Sequence, residues 1–186
     1  MNKLANRLAE QLVDNGADLE NVEIYAYAIE CLLNTTFIFS ILLILGAIFR
    51  RFLITLFWIV FFLPIRHHSG GLHASNHIGC VIFSVSIGTL CMFASSWLSS
   101  YDWFIYVGLA ASIVIIFAFA PVIHSNHPLS EGKIQRTKKA ARIIIIIETA
   151  LVLLIHFLMD NALSYAALLG ILSSTISTLI GYFHSQ

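Results

Sequence analysis

Residues 77–98 read HIGCVIFSVSIGTLCMFASSWL, a run of 22 with no Asp, Glu, Lys or Arg. A helix of that length is about 33 Å long, enough to cross the hydrocarbon core of a bilayer. Cys80, Ser84, Gly88, Cys91 and Ser95 recur along it at intervals of three or four. One face is therefore lined with small residues, and branched and aromatic side chains fill the rest. Between lipid tails, apolar surface gains little by leaving its solvent, and small faces are what let helices approach closely. The pattern predicts a packed membrane span, with Cys80 near its start and turned toward protein.

Outward from this run the chain is punctuated in the same way. Ile24 to Ile48 is a second spanning run, with Glu23 at its start and Glu30 and Asn34 one turn apart inside it. A carboxylate within a span is costly and usually faces protein. Arg50 and Arg51 interrupt. Phe52 to Ile65 is then apolar for only 14 residues, with Pro64 at its end, which predicts either a short span or a re-entrant segment. Residues 1–18 predict an amphipathic helix lying in the membrane interface and ending at Gly16. In it Leu4, Leu8, Leu12, Ala5, Ala9 and Val13 share one face, with Lys3, Arg7, Glu10 and Gln11 mostly opposite. In the other direction, Trp103 to Ile123 is apolar with Pro121 near its end. The polar stretch 124–142 follows and reads as a basic loop, holding Lys133, Arg136, Lys138, Lys139 and Arg142. Ile143 to Met159, interrupted by Glu148, and Ala162 to Phe183 complete the spans. The last has its own small face of Ala166, Gly170, Ser174, Ser177 and Gly181. The expectation is an all-α polytopic membrane protein, one domain over residues 1–186, with about six transmembrane helices and an N-terminal interfacial helix.

Composition agrees. Hydrophobic residues make up 59% and charged residues 11% of the chain, against about 25% charged in soluble domains. The net charge of zero, with no large basic excess, argues against nucleic acid as a partner. Cys31, Cys80 and Cys91 are an odd number in apolar surroundings, which argues against a disulfide framework. With the N-terminus in the cytoplasm and six spans, Lys3, Arg7, Arg66 and the five basic residues of the loop fall inside. Only Arg50 and Arg51 fall outside, which favours this orientation but leaves the arginine pair in conflict. The stretch beginning at Arg66 and the basic loop then share the cytoplasmic side, with Glu148 at a depth that would let it meet Cys80.

Arg66 to Cys80 reads RHHSGGLHASNHIGC and concentrates the chemistry. A thiol needs a base to be a nucleophile at neutral pH, and imidazole suits that task. One reading is a cysteine peptidase or acyl transferase, with Cys80 attacking a carbonyl and His73 taking its proton. Gly70 and Gly71 would let backbone approach the substrate. A second reading is a metal site on His73, His77 and Cys80, spaced i, i+4, i+7, with His67 and His68 nearby. A third is a small transporter using Glu30, Asn34 and Glu148 as a polar path. The bland reading is interfacial histidines beside an inert thiol. A working His73–Cys80 pair requires a break between them, because side chains on one continuous helix lean toward its N-terminus. Ser75 or Asn76 could cap the helix carrying Cys80. His73 is then expected in the loop before the cap, with its ring within about 4 Å of the sulfur.

The same stretch resembles the signature of the accessory gene regulator B family, in which an Arg, a GG-x-HA core and a Cys seven residues after the His recur together. The amphipathic N-terminus, six spans, and Ala120-Pro121 followed by basic residues extend the resemblance over nearly the whole chain. It implies an integral cell-membrane cysteine endopeptidase of quorum sensing with its active site on the cytoplasmic side. Such an enzyme cuts an autoinducer propeptide on its C-terminal side and helps close it into a thiolactone or lactone. It implies Cys80 as nucleophile, His73 as base and Arg66 and Gly71 at positions associated with activity. Lys138 and Lys139 match the family's basic cluster loosely. Ser75, Asn76 and Glu148 are candidates to orient His73. The implied partners are the propeptide and the lipid bilayer, with a homodimer left open, and no cofactor or metal is implied.

Overall fold

The computed structural model describes residues 2–16, 18, 22–71, 77–122, 131–159 and 161–184. The described residues form seven helices: α1 (Asn2–Asp14), α2 (Val22–Ile48), α3 (Phe52–Ser69), α4 (His77–Leu98), α5 (Asp102–Phe119), α6 (Glu131–Leu158) and α7 (Asn161–His184), with no strand among them. Six of them, α2 to α7, are long and apolar enough to cross a membrane. The chain is an all-α, multi-pass membrane protein. Its outer surface fits that solvent, since Leu32, Ile44, Ile78, Leu90 and Phe157 are exposed.

The small faces decide the packing. α7 is the hub and packs against α3, α4, α5 and α6. Ala166, Gly170, Ser174 and Gly181 are buried along it, as the spacing predicts. At Gly170 the backbones of α3 and α7 touch: a Cβ there would sit 2.5 Å from the Trp58 carbonyl oxygen. On α4, Gly88 lies against the Leu42 side chain and Ser95 is fully buried. Two apolar clusters result. One joins α3, α5, α6 and α7 around Ile65, Ile105, Ile145, Tyr165 and Leu168. The other joins α2, α3 and α4 around Ile38, Leu42, Trp58 and Ile59, and Cys80 packs against it. α1 packs on α2 through Ala5 and Ala9 and leaves Leu4 and Leu12 exposed.

Three expectations are corrected. The segment 52–65 is no re-entrant loop. Its helix runs for 18 residues, through Pro64 and past Arg66, His67 and His68 to Ser69. Polarity rises there, but the helical path ends only where Gly70 takes φ 70°. The helix after Ser100 stops at Phe119, short of Ile123, because Ala120 precedes a proline and is extended. The polar stretch 124–142 is not a loop throughout, being helical from Glu131, so the five basic residues ride on the first turns of α6. The residues are good helix formers, and polarity alone does not end a helix.

The arginine pair also finds an account. Arg51 donates to the Ser96 hydroxyl at 2.6 Å and the Met92 carbonyl at 3.3 Å, and lies 5.2 Å from the centre of the Phe93 ring. It ties the start of α3 to the last turns of α4.

Candidate active site

Cys80 lies on the first turn of α4, half-buried. Its sulfur faces α2, where the Asn34 amide nitrogen lies 3.8 Å away, in range of a long N–H···S hydrogen bond. The buried Asn34 Oδ1 has no hydrogen-bond partner among the described residues. From α3 the Arg66 guanidinium is within electrostatic reach of the same thiol, and from α2 so is Cys31. Cys31 is in turn hydrogen-bonded to Tyr27, one turn earlier.

The Arg66–Gly71 segment is held by its own backbone. Arg66 Nη1 donates to the Gly70 carbonyl at 2.6 Å, closing the end of α3 on itself. Val122 N–H donates to the Ser69 carbonyl at 2.9 Å, and the Ser69 and Thr178 hydroxyls are 2.7 Å apart. Gly70 is pressed so close to the Val122 carbonyl oxygen that a Cβ would lie 2.8 Å from it. Gly71, at φ 136°, would drive a Cβ into the Arg66 guanidinium and to 2.9 Å from the Ser177 carbonyl oxygen. Both glycines are there because left-handed backbone must pass a guanidinium and two carbonyls with no room for a side chain. The result is a fixed post, tied to the segment after α5 and to α7, against which Arg66 is held.

Of the expected site residues, Arg66 lies within electrostatic reach of Cys80, and Gly70 and Gly71 pack around Arg66. His73, Ser75 and Asn76 lie outside the described residues, as does the side chain of His77, so the expected fold-back of His73 and the three-ligand metal arrangement both fall there. His68 stays on its own helix, with Nδ1 2.9 Å from the Pro64 carbonyl oxygen. Glu148 does not meet Cys80. It lines a cavity of about 260 Å³ with Val60, Phe61, Pro64, Ile144, Ile147 and Leu151, on the α6 side of α3, whereas Cys80 packs on the cluster holding Trp58 and Ile59. Similar depth along two helices does not make them neighbours when a third stands between. Lys138 and Lys139 are exposed on α6, and Arg142 turns back to α5, donating to the Phe117 carbonyl at 3.0 Å.

Asn34 was legible in the sequence only as a polar residue inside a span. Its meeting with a sulfur 46 residues away is tertiary. Cys31, on the same face of α2, stood out only as one of three cysteines.

The arrangement can do one thing plainly. It sets an amide donor beside a thiol at a helix start, with a cation within electrostatic reach. The family model described as Accessory gene regulator B matches residues 1–178. A protein of Listeria welshimeri named AgrB-like is 28% identical over 158 residues, covering 83% of this chain and 78% of its own length. One of Clostridium perfringens, named AgrB-like protein 2, is 30% identical over 132 residues, covering 67% of this chain and 62% of its own length. One of Halalkalibacterium halodurans, named AgrB-like, is 26% identical over 151 residues, covering 79% of this chain and 74% of its own length. No solved structure matches the chain.

Proposed function

Since the chain belongs to the accessory gene regulator B family, associated with quorum-sensing peptide processing, we propose that it is a membrane cysteine endopeptidase that cleaves an autoinducer propeptide through Cys80 and promotes its cyclisation. The observation that carries this reading is the Asn34 amide nitrogen 3.8 Å from the Cys80 sulfur, with the Arg66 guanidinium within electrostatic reach, in a thiol that sits on the first turn of α4.

His73 takes the Cys80 proton, and the thiolate attacks the scissile carbonyl carbon. A C–S bond forms as the carbonyl electrons move onto oxygen. When the tetrahedral species collapses, the C–N bond breaks and the C-terminal fragment leaves as an amine with the proton that His73 gives back. The N-terminal fragment remains as a thioester on Cys80. A thiol or hydroxyl within that fragment then gives its proton to His73 and attacks the thioester, the Cys80 sulfur departs as thiolate, and the ring closes as a thiolactone or lactone. Water competes for the thioester, and a half-buried sulfur packed against α2 and α3 limits its access. The site would face the cytoplasm, on the side of the basic turns of α6.

The test is co-expression with the small open reading frame beside the gene, followed by mass spectrometry of the peptide products. Cys80→Ala is expected to abolish cleavage with the protein still in the membrane, while Cys31→Ala and Cys91→Ala remain active. Cleavage by Cys80→Ala at the parent rate ends the peptidase reading.

A further inference from the structure

We propose that Asn34 is a third working residue of the Cys80 site: its side-chain amide donates to the sulfur and holds it as the attacking thiolate. This rests on Cys80 being the nucleophile, and goes beyond it by naming the neutral donor that a charged sulfur needs.

The geometry comes first. Asn34 Nδ2 lies 3.8 Å from Cys80 Sγ, across the α2–α4 interface. Cys80 packs against the cluster of buried Ile38, Leu42, Trp58 and Ile59, and its contact with Asn34 is partly buried. A neutral thiol accepts either end of a carboxamide, since it can both donate and accept. A thiolate only accepts, so charging the sulfur selects the amide nitrogen and fixes the orientation of the side chain.

As a packing residue Asn34 is a poor choice. Its Oδ1 is buried and has no partner among the described residues. Leaving an acceptor unsatisfied costs on the order of 1–3 kcal/mol, and an apolar residue of similar size would avoid that cost. The amide earns its place only if the nitrogen works harder than the oxygen costs. It does so when the sulfur is charged, because a hydrogen bond to an ion contributes about twice a neutral one.

Arg66 on α3 and Cys31 on α2 both interact electrostatically with the sulfur. Arg66 supplies fixed charge from one side. Its Nη1 donates to the Gly70 carbonyl, and Asn34 adds a neutral donor at hydrogen-bonding range of the sulfur.

The experiment compares Asn34→Ala, Asn34→Asp and Asn34→Gln in the full chain in membranes, with Cys31→Ala and Cys91→Ala as background so that Cys80 is the one thiol. Two quantities are read: propeptide cleavage, and the rate at which iodoacetamide alkylates Cys80 at neutral and at alkaline pH, each per amount of membrane protein. Losing the donor in Asn34→Ala is expected to slow both at neutral pH by about tenfold, the equivalent of one hydrogen bond to a charged group. Asn34→Asp has the shape of the parent but points an acceptor at the sulfur, and is expected to be worse than Ala. Asn34→Gln, which keeps the amide on a longer arm, is expected to retain more activity than either. The alkylation deficit should narrow at alkaline pH, where thiolate forms unaided. A packing role predicts the opposite order, with isosteric Asp milder than Ala, and that order overturns the proposal. So does an unchanged rate in both Ala and Asp. If Asn34→Ala fails to accumulate, the Asp and Gln variants decide by the same ordering. Inactive Cys80→Ala beside fully active Asn34 variants sinks this inference alone, whereas active Cys80→Ala sinks the peptidase reading and this inference with it.

Discussion

The proposed chemistry at Cys80 depends on positions with no room for a near equivalent, and Gly71 is the sharpest case. Its φ of 136° is one that L side chains rarely adopt, and a Cβ there would collide with the Arg66 guanidinium. The smallest substitution, Gly71→Ala, is therefore expected to push Arg66 off the Gly70 carbonyl and away from the thiol, and to lower propeptide cleavage at least tenfold, a loss of about 1.4 kcal/mol or more. Gly132→Ala is the matched control. A Cβ at Gly132 meets nothing within 4 Å, and alanine favours the helix. Mass spectrometry of the cleaved peptide from both variants decides it, and equal cleavage would remove the geometric argument for the glycine pair. Arg66, Gly71 and Cys80 could be picked out as candidates from the sequence because they lie within fifteen residues of one another. Asn34 could not, because nothing local says which face of α2 meets α4.

At the scale of elements, small residues determine which helices touch and how closely. α7 reaches four neighbours because Gly170 and its buried small partners leave room for backbones. Gly170→Leu would put a branched side chain where a Cβ alone lies 2.5 Å from the Trp58 carbonyl oxygen. It is expected to destabilise the bundle by about 1–3 kcal/mol, read as a lower thermal midpoint in detergent and less protein in the membrane. Ile176→Leu, at a half-exposed position on the same helix, should leave both unchanged. If Gly170→Leu melts with the parent, α3 and α7 are not in backbone contact. The small faces of α4 and α7 were readable as spacing, since period alone puts them on one side. The ends of α3 and α6 were not, because hydropathy was taken to mark helix ends. α3 keeps its helical path through Arg66, His67 and His68 until Gly70, and α6 begins two turns or more before its apolar run. Hydropathy reports where lipid stops; the backbone stops where glycine or proline intervenes.

The whole molecule has two unlike ends. At one, Trp97, Tyr101 and Trp103 are exposed where α4 turns into α5, the amphipathic rings that membrane interfaces favour. Arg51 is on that side too, held by α4. At the other lie Arg66, the glycine post and the first turns of α6. α6 has 28 residues, about 42 Å of helix against a hydrocarbon core of about 30 Å, so its excess length lies at the basic end. Lys133, Arg136, Lys138 and Lys139 are exposed there, on a rigid helix at the same end as Cys80. Held this way, four cations make a fixed positive rim past which an acidic peptide segment would approach the thiol. Replacing Lys138 and Lys139 with Glu changes the rim by four charges and leaves the apolar part of α6 intact. Propeptide processing by this variant is expected to fall several-fold at low ionic strength, with the gap closing as salt rises and the Debye length shrinks from about 30 Å at 0.01 M to about 8 Å at 0.15 M. The measurement is processing rate against salt for parent and variant in sealed vesicles. If the two curves coincide at every ionic strength, the basic turns act on membrane orientation alone and the substrate reaches Cys80 without them.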